Sequence, residues 1–366
     1  MITPTTRRAP RQEQDPHRLR DLHARLDSGM VIPAHPLALT AQGTLDERAQ
    51  AALTRYQLEA GVHGLAVGVH STQFELHDDP GLLRTVWQQA AELTAAHSSS
   101  LPESPLLIAG LVGDTAQAVR EAETARELGY HAALMSPWGM SERSPQTLFE
   151  RARTVGEILP TIGFYLQDSV GGTALPRSFW RRLFDLESVV AVKTAPFDRY
   201  RTGDVMQELL VHDRWDQVAV LTGNDDAIVH DLITPYRAKV GGRVREVRAR
   251  GGLLGQWAVG TRAAVELVAA VEAAVAADAV SQDLLSLASD MVEVNAAVFD
   301  TLHDFAGCVP GVNEVLRQQG LVSTARCLGP DVLSPGQAEL IQGVRRRFPA
   351  LLDEEFVAAG RDRWLA

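Results

Sequence analysis

Two lysines, Lys193 and Lys239, stand among the 35 basic side chains of this 366-residue sequence; all the others are arginine. Arginine keeps its proton at any working pH, whereas a buried lysine gives up its charge and becomes a nucleophile. Under so strong an arginine bias, a retained lysine points to a task that arginine cannot perform. Lys193 ends the apolar run Ser188-Val189-Val190-Ala191-Val192, so a strand would carry its stem out of a hydrophobic wall. Desolvation there favours the neutral amine, which can add to a carbonyl carbon. A strand-end lysine can also snorkel to solvent or pair with a carboxylate.

Tyr165 ends the preceding apolar run, where a phenol can relay protons to a carbinolamine and to a departing oxygen, or can simply pack at a rim. Ser71 and Thr72 follow an earlier run, and adjacent hydroxyls can hold a carboxylate and pass a proton onward. These four residues are the candidate catalytic set. His70, Gln73, Trp138, Gln167, Gly223 and Leu254 form the candidate substrate-binding set, placed at or just beyond run ends. His35 and His70 read equally as polar rim residues. Trp138 and Trp257 can wall a pocket, although packing is the more ordinary role. No Asp, Glu and His cluster has metal-ligand spacing, and no GxxxxGK phosphate cradle is present, so no metal is expected.

Eight short apolar runs could position such residues: 30–39, 64–69, 106–112, 132–135, 162–166, 189–192, 218–221 and 252–257. Amphipathic segments at 45–59, 115–128, 144–158 and 225–233 separate them. Continuous apolar strands alternating with helices signify a parallel sheet buried on both faces. Eight such units predict an α/β protein, a (β/α)8 TIM barrel, whose reactive groups belong at the C-terminal strand ends. Residues 263–277, 284–303, 312–319 and 335–348 are helical in pattern and form a C-terminal helical extension. The expected organisation is a flexible tail over 1–18, the barrel over 19–277 and a helical bundle over 278–366. The basic stretch 243–250 is expected to be a solvated helix face or a loop insertion.

A formal net charge of −11 argues against a nucleic-acid partner. No apolar run is long enough to span a membrane, and the N-terminal residues lack the apolar stretch of a signal peptide. A cytoplasmic location is therefore expected, with Cys308 and Cys327 as plain thiols rather than a disulfide.

The residues around the lysine resemble the dihydrodipicolinate synthase / N-acetylneuraminate lyase superfamily. Val189-Val190-Ala191-Val192-Lys193-Thr194-Ala195 resembles its Schiff-base strand. Gly163-Phe164-Tyr165-Leu166-Gln167 resembles its tyrosine strand, with Tyr165 and Lys193 28 positions apart, as the family has them. His70-Ser71-Thr72-Gln73 stands where the family has a Gly-Thr-Thr-Gly-Glu type motif, and Leu221-Thr222-Gly223-Asn224-Asp225 also has a family counterpart. The likeness covers roughly 25–350. It implies a class I aldolase or hydro-lyase that uses no cofactor beyond a covalent Schiff base on lysine, acts on a pyruvate-like 2-oxo acid, and assembles as a homo-oligomer, a dimer or tetramer. Three departures accompany it. Val170 stands where the synthase has a carboxylate-binding arginine. Ser136-Pro137-Trp138 replaces the region of its second, intersubunit tyrosine, and Gln73-Phe74 follows the hydroxyls. The lysine-biosynthetic reaction is therefore not the expected one. A metal-free hydrolase built on His35 and His70 has no acid partner in the pattern, and a family member that binds a keto acid without turnover is the remaining alternative.

Overall fold

The computed structural model describes residues 15–99 and 103–366. Eight parallel strands form one sheet: β1 (Val31–Pro33), β2 (Gly64–Val67), β3 (Leu106–Leu111), β4 (Ala132–Met135), β5 (Thr161–Leu166), β6 (Val189–Ala195), β7 (Ala219–Thr222) and, after an antiparallel ribbon of β8 (Tyr236–Val240) and β9 (Arg243–Val247), β10 (Gly251–Leu254). The order runs β1-β10-β7-β6-β5-β4-β3-β2, and a parallel bridge between Ala34 and Ala66 brings β1 back to β2. All residues of these eight strands are buried, as a sheet covered on both faces requires. The expected TIM barrel is the fold.

Alternation along each strand divides the core into two layers. Ile32, Ile108, Ile162, Phe164, Leu221 and Leu253 fill the lumen. Val67, Leu107, Tyr165, Val192 and Leu254 face outward, against apolar side chains of the surrounding helices. The helices start on side-chain caps. Asp46 accepts from the Ala49 N–H ahead of α2 (Glu47–Glu59), and Ser144 from the Thr147 N–H ahead of the helix Pro145–Gly156.

Residues 1–14 of the expected tail lie outside the described residues, and the rest of that segment is no tail. Asp15 caps α1 (Pro16–Leu26), which drives Leu22 and Leu26 into the lumen core and plugs the bottom of the barrel. The stretch 243–250 is not helical either. Gly241 and Gly242, both at positive φ (56° and 82°), turn β8 into β9, and Arg243–Val247 pairs as the returning strand. That backbone twist is the one a two-residue hairpin needs, and it suits glycine at both positions.

Beyond the barrel's last helix, Thr261–Ala276, run four helices: Gln282–Val298, Cys308–Gln318, Gln337–Arg347 and Glu354–Trp364. Val294, Val298, Val312 and Trp364 share one core with Leu53 and Tyr56 of α2, so a cut at residue 277 would pass through that core. Asp353 reinforces the junction. Its carboxylate accepts from the Tyr56 hydroxyl at 2.6 Å and from the Arg262 and Ala263 N–H groups at 2.7 and 2.9 Å. Among the described residues no helix is long and apolar enough to cross a membrane.

Candidate active site

A cavity of about 60 Å³ opens at the C-terminal end of the lumen, and Lys193 forms part of its wall. The lysine stem needs the space beside it. A Cβ on Gly223 would stand 2.3 Å from Lys193 Cε and 2.8 Å from Ala195 Cβ, so glycine at that position leaves the stem its path. Lys193 Nζ lies 4.5 Å from the centroid of the Phe164 ring. Burial pushes the amine below the ordinary lysine range, opposed by the negative charge of Asp225. Lys239, by contrast, is exposed on the ribbon.

Asp225 follows β7 and lines the same cavity. One carboxylate oxygen accepts from the Gln256 N–H at 3.0 Å, and its backbone carbonyl accepts from Asn295 Nδ2 at 2.6 Å. Burial pushes its acid strength down and its pKa up, against the opposing pull of that N–H and of Lys193. Asn224, one residue earlier, accepts from the Phe197 N–H at 3.0 Å and donates to Asp231 at 2.9 Å, fixing the loop after β6 to the loop after β7. Phe299, Phe305 and Cys308, from the C-terminal helices, roof the cavity. Asp300 braces that roof by accepting from the Gly307 N–H at 2.9 Å and the Ser334 hydroxyl at 2.6 Å. Burial pushes the Cys308 thiol far up, so it stays protonated.

The candidate residues divide into two groups. Lys193, Ser71, His70, Gln167 and Gly223 line the cavity. His70 is neutral, held down at about 4 by burial and the Lys193 charge.

Tyr165 does not join them. Its ring packs on Trp180 with centroids 5.0 Å apart in the outer layer, and its phenolic oxygen accepts from the Leu175 N–H at 3.3 Å. The cause lies in the β5–β6 register. Thr161 is opposite Val189 but Ile162 is opposite Ala191, so β6 contains one extra residue and Phe164, not Tyr165, is level with Lys193. A one-residue shift turns a side chain to the other face of a strand. A separation of 28 along the chain therefore leaves the phenol outside the lumen.

Thr72 is also used elsewhere. Its hydroxyl donates to the His35 carbonyl at 2.6 Å and accepts from the Gly68 N–H at 3.0 Å, tying together the loops after β1 and β2. Gln73 turns away to accept from the Leu328 N–H at 2.5 Å. Leu254 faces the outer layer, because the lumen position on β10 is Leu253. Trp138 stacks on Phe74 with centroids 5.4 Å apart; Phe74 lines the cavity and Trp138 backs it. His35 is buried on Thr54 at 2.9 Å and held down at about 4 by burial. Trp257 is a core residue.

Sequence reasoning missed Asp225, Phe164 and the roof. Asp225 obeyed the strand-end rule one position past Asn224, and β-strand alternation could have set Phe164 against Lys193. The roof is a tertiary contact with no local signal. Among the described residues no arginine lines the cavity, and Val170 does. Among the described residues no group of three or more His, Cys, Asp or Glu side chains could hold a metal ion.

The comparisons with known proteins agree with this architecture. No curated protein sequence matches the chain. Among solved structures, dihydrodipicolinate synthase from Bacillus anthracis is similar at 18% identity and a TM-score of 0.70, over 88% of this chain and 99% of that one. N-acetylneuraminate lyase from Fusobacterium nucleatum matches at 16% identity and 0.67, over 88% and 99%. Dihydrodipicolinate synthase from Acinetobacter baumannii, solved in complex with pyruvate, matches at 17% and 0.67, over 87% and 98%. These likenesses concern the fold. The Dihydrodipicolinate synthetase family profile matches residues 27–243, well over half of the sequence, and the chain belongs to that family.

Proposed function

We propose that this protein is a lyase or aldolase that forms a Schiff base between Lys193 and a pyruvate-like 2-oxo acid, with loss of water by the same iminium as a related outcome. The observation that carries the reading is the position of Lys193: a desolvated amine in the lumen of a family barrel, beside the cavity at its C-terminal end. The neutral amine would add to the keto carbon, and the iminium formed on loss of water would draw electrons from the bond to be broken or made. Ser71, His70, Ser136 and Gln167 are the neutral polar side chains available to a substrate carboxylate. With Val170 in the wall and no lining arginine, that carboxylate would lack a charge-assisted partner worth about 1.5–3 kcal/mol. Residues Phe74, Phe164, Phe197, Phe299 and Phe305 would suit a bulkier, less charged partner aldehyde. By family analogy the protein works as a homo-oligomer in the cytoplasm.

A second reading, binding without turnover, is favoured by one observation: the Tyr165 phenol lies outside the lumen. Borohydride reduction with pyruvate and a panel of 2-oxo acids, read by intact and peptide mass spectrometry, tests both. The expected result is an adduct on Lys193 and none on Lys239, lost in Lys193→Ala and Lys193→Arg while both variants fold. Trapping with no product from any partner aldehyde would favour the binder, and no adduct at all would refute the Schiff base.

A further inference from the structure

We infer that Asp225 is the proton-transfer group of the Lys193 site, taking at the end of β7 the task that Tyr165 cannot reach from the outer layer. The inference rests on the Schiff-base reading. Among the described residues lining the cavity, Asp225 is the one carboxyl. It is held from three sides: the Gln256 N–H grips one carboxylate oxygen, Asn295 grips its backbone carbonyl, and the Asn224 network fixes the residue before it. No direct ion pair with Lys193 is formed, although the two face one cavity, so a substrate carbon can stand between amine and carboxyl. The rival groups are poorly suited. The Cys308 thiol resists ionisation, Ser71 is a weak acid and a weaker base, and the His70 imidazole resists protonation beside Lys193.

Burial moves the amine down and the carboxyl up, so the neutral pair, NH2 with COOH, becomes accessible alongside NH3+ with COO−. The neutral pair is the form that the chemistry uses. The amine adds to the keto carbon, and the Asp225 acid protonates the carbinolamine oxygen, which leaves as water. The resulting carboxylate then removes a proton from C3 of the iminium; the C–H electrons form the C2–C3 double bond and neutralise the nitrogen, giving the enamine. In the cleavage direction the carboxylate takes the proton of the C4 hydroxyl instead. The C3–C4 bond breaks into the iminium, an aldehyde departs, and the Asp225 acid returns its proton to C3.

The test uses the full-length protein with pyruvate in deuterium oxide. Loss of C3 protons is followed by NMR, and borohydride trapping is measured in parallel. Asp225→Asn keeps the acceptor for the Gln256 N–H. It should still trap pyruvate, more slowly because the acid that expels water is gone, while the lost negative charge no longer favours the ammonium. Its C3 exchange should fall by about two to four orders of magnitude, the usual worth of a positioned acid–base group. Tyr165→Phe should exchange at the wild-type rate. In Asp225→Ala, added formate should restore part of the exchange, a response that a structural role would not give. Wild-type-like exchange in either Asp225 variant would overturn the inference while leaving the Schiff base standing. Failure of the wild type to trap any 2-oxo acid would remove the Schiff base and this inference with it.

Discussion

Gly223 sets the course of the Lys193 stem, and Gly223→Ala is the most direct perturbation of it. The new Cβ would stand 2.3 Å from Lys193 Cε, whereas non-bonded carbons settle at about 3.5–4.0 Å. More than an ångström must therefore be found. The β7 end cannot supply it by tilting toward β6, since Ala195 Cβ is at 2.8 Å and Lys193 Cγ at 3.2 Å from the same point. The lysine stem yields. Overpacking of this kind costs about 1–3 kcal/mol, and a displacement of about 1 Å at a reacting group costs on the order of 100-fold in rate. Two measurements separate these effects: the rate of borohydride trapping by pyruvate, and the midpoint of thermal unfolding. We expect trapping to slow by about 100-fold, with unfolding lowered by about 2–4 °C for each kcal/mol lost in a chain of this size or somewhat smaller. Trapping within about threefold of wild type, set against the 100-fold expectation, would refute the placement of the stem against Gly223.

Two further predictions concern residues outside the cavity. Tyr165→Phe should leave turnover within about twofold of wild type, far from the two to four orders a proton-relay role would require, while losing about 1 kcal/mol of stability because the Leu175 N–H loses its acceptor. His35 is held down at about 4 against an ordinary 6.5, so the unfolded chain takes up a proton on acidification before the folded one does. Its contribution is whole above pH 6.5 and is lost as the pH falls toward the folded value, by up to about 3 kcal/mol. Urea unfolding at several pH values should therefore show a steeper acid decline in wild type than in His35→Gln, and equal slopes would contradict it.

The barrel was legible because eight strands buried on both faces must each be largely apolar, and that pattern survives in a single sequence. Lys193, which lines the cavity, could be singled out for a compositional reason, as one of two lysines in a chain of arginines. Tyr165 misled because spacing along the chain does not record a bulge. The extra residue in β6 is invisible until Ile162 is seen opposite Ala191, and it exchanges the lumen position for Phe164. The ribbon at 236–247 carried its own signal in Gly241-Gly242, which outweighs the helical look of the arginines that follow. Phe299, Phe305 and Cys308 meet Lys193 across more than a hundred residues of chain, a closure that no local pattern encodes.

The roof has a consequence for how the site tolerates change. Residues 27–243 match the family profile, and they include Lys193, Asp225 and seven of the eight barrel strands. Phe299, Phe305 and Cys308 lie downstream of that match yet cover the same space. The wall of one cavity is thus drawn from two distant stretches of the chain, Lys193 and Asp225 in one and the roof in the other. Changes among the roof residues can therefore reshape the space over Lys193 while the barrel residues stay as they are.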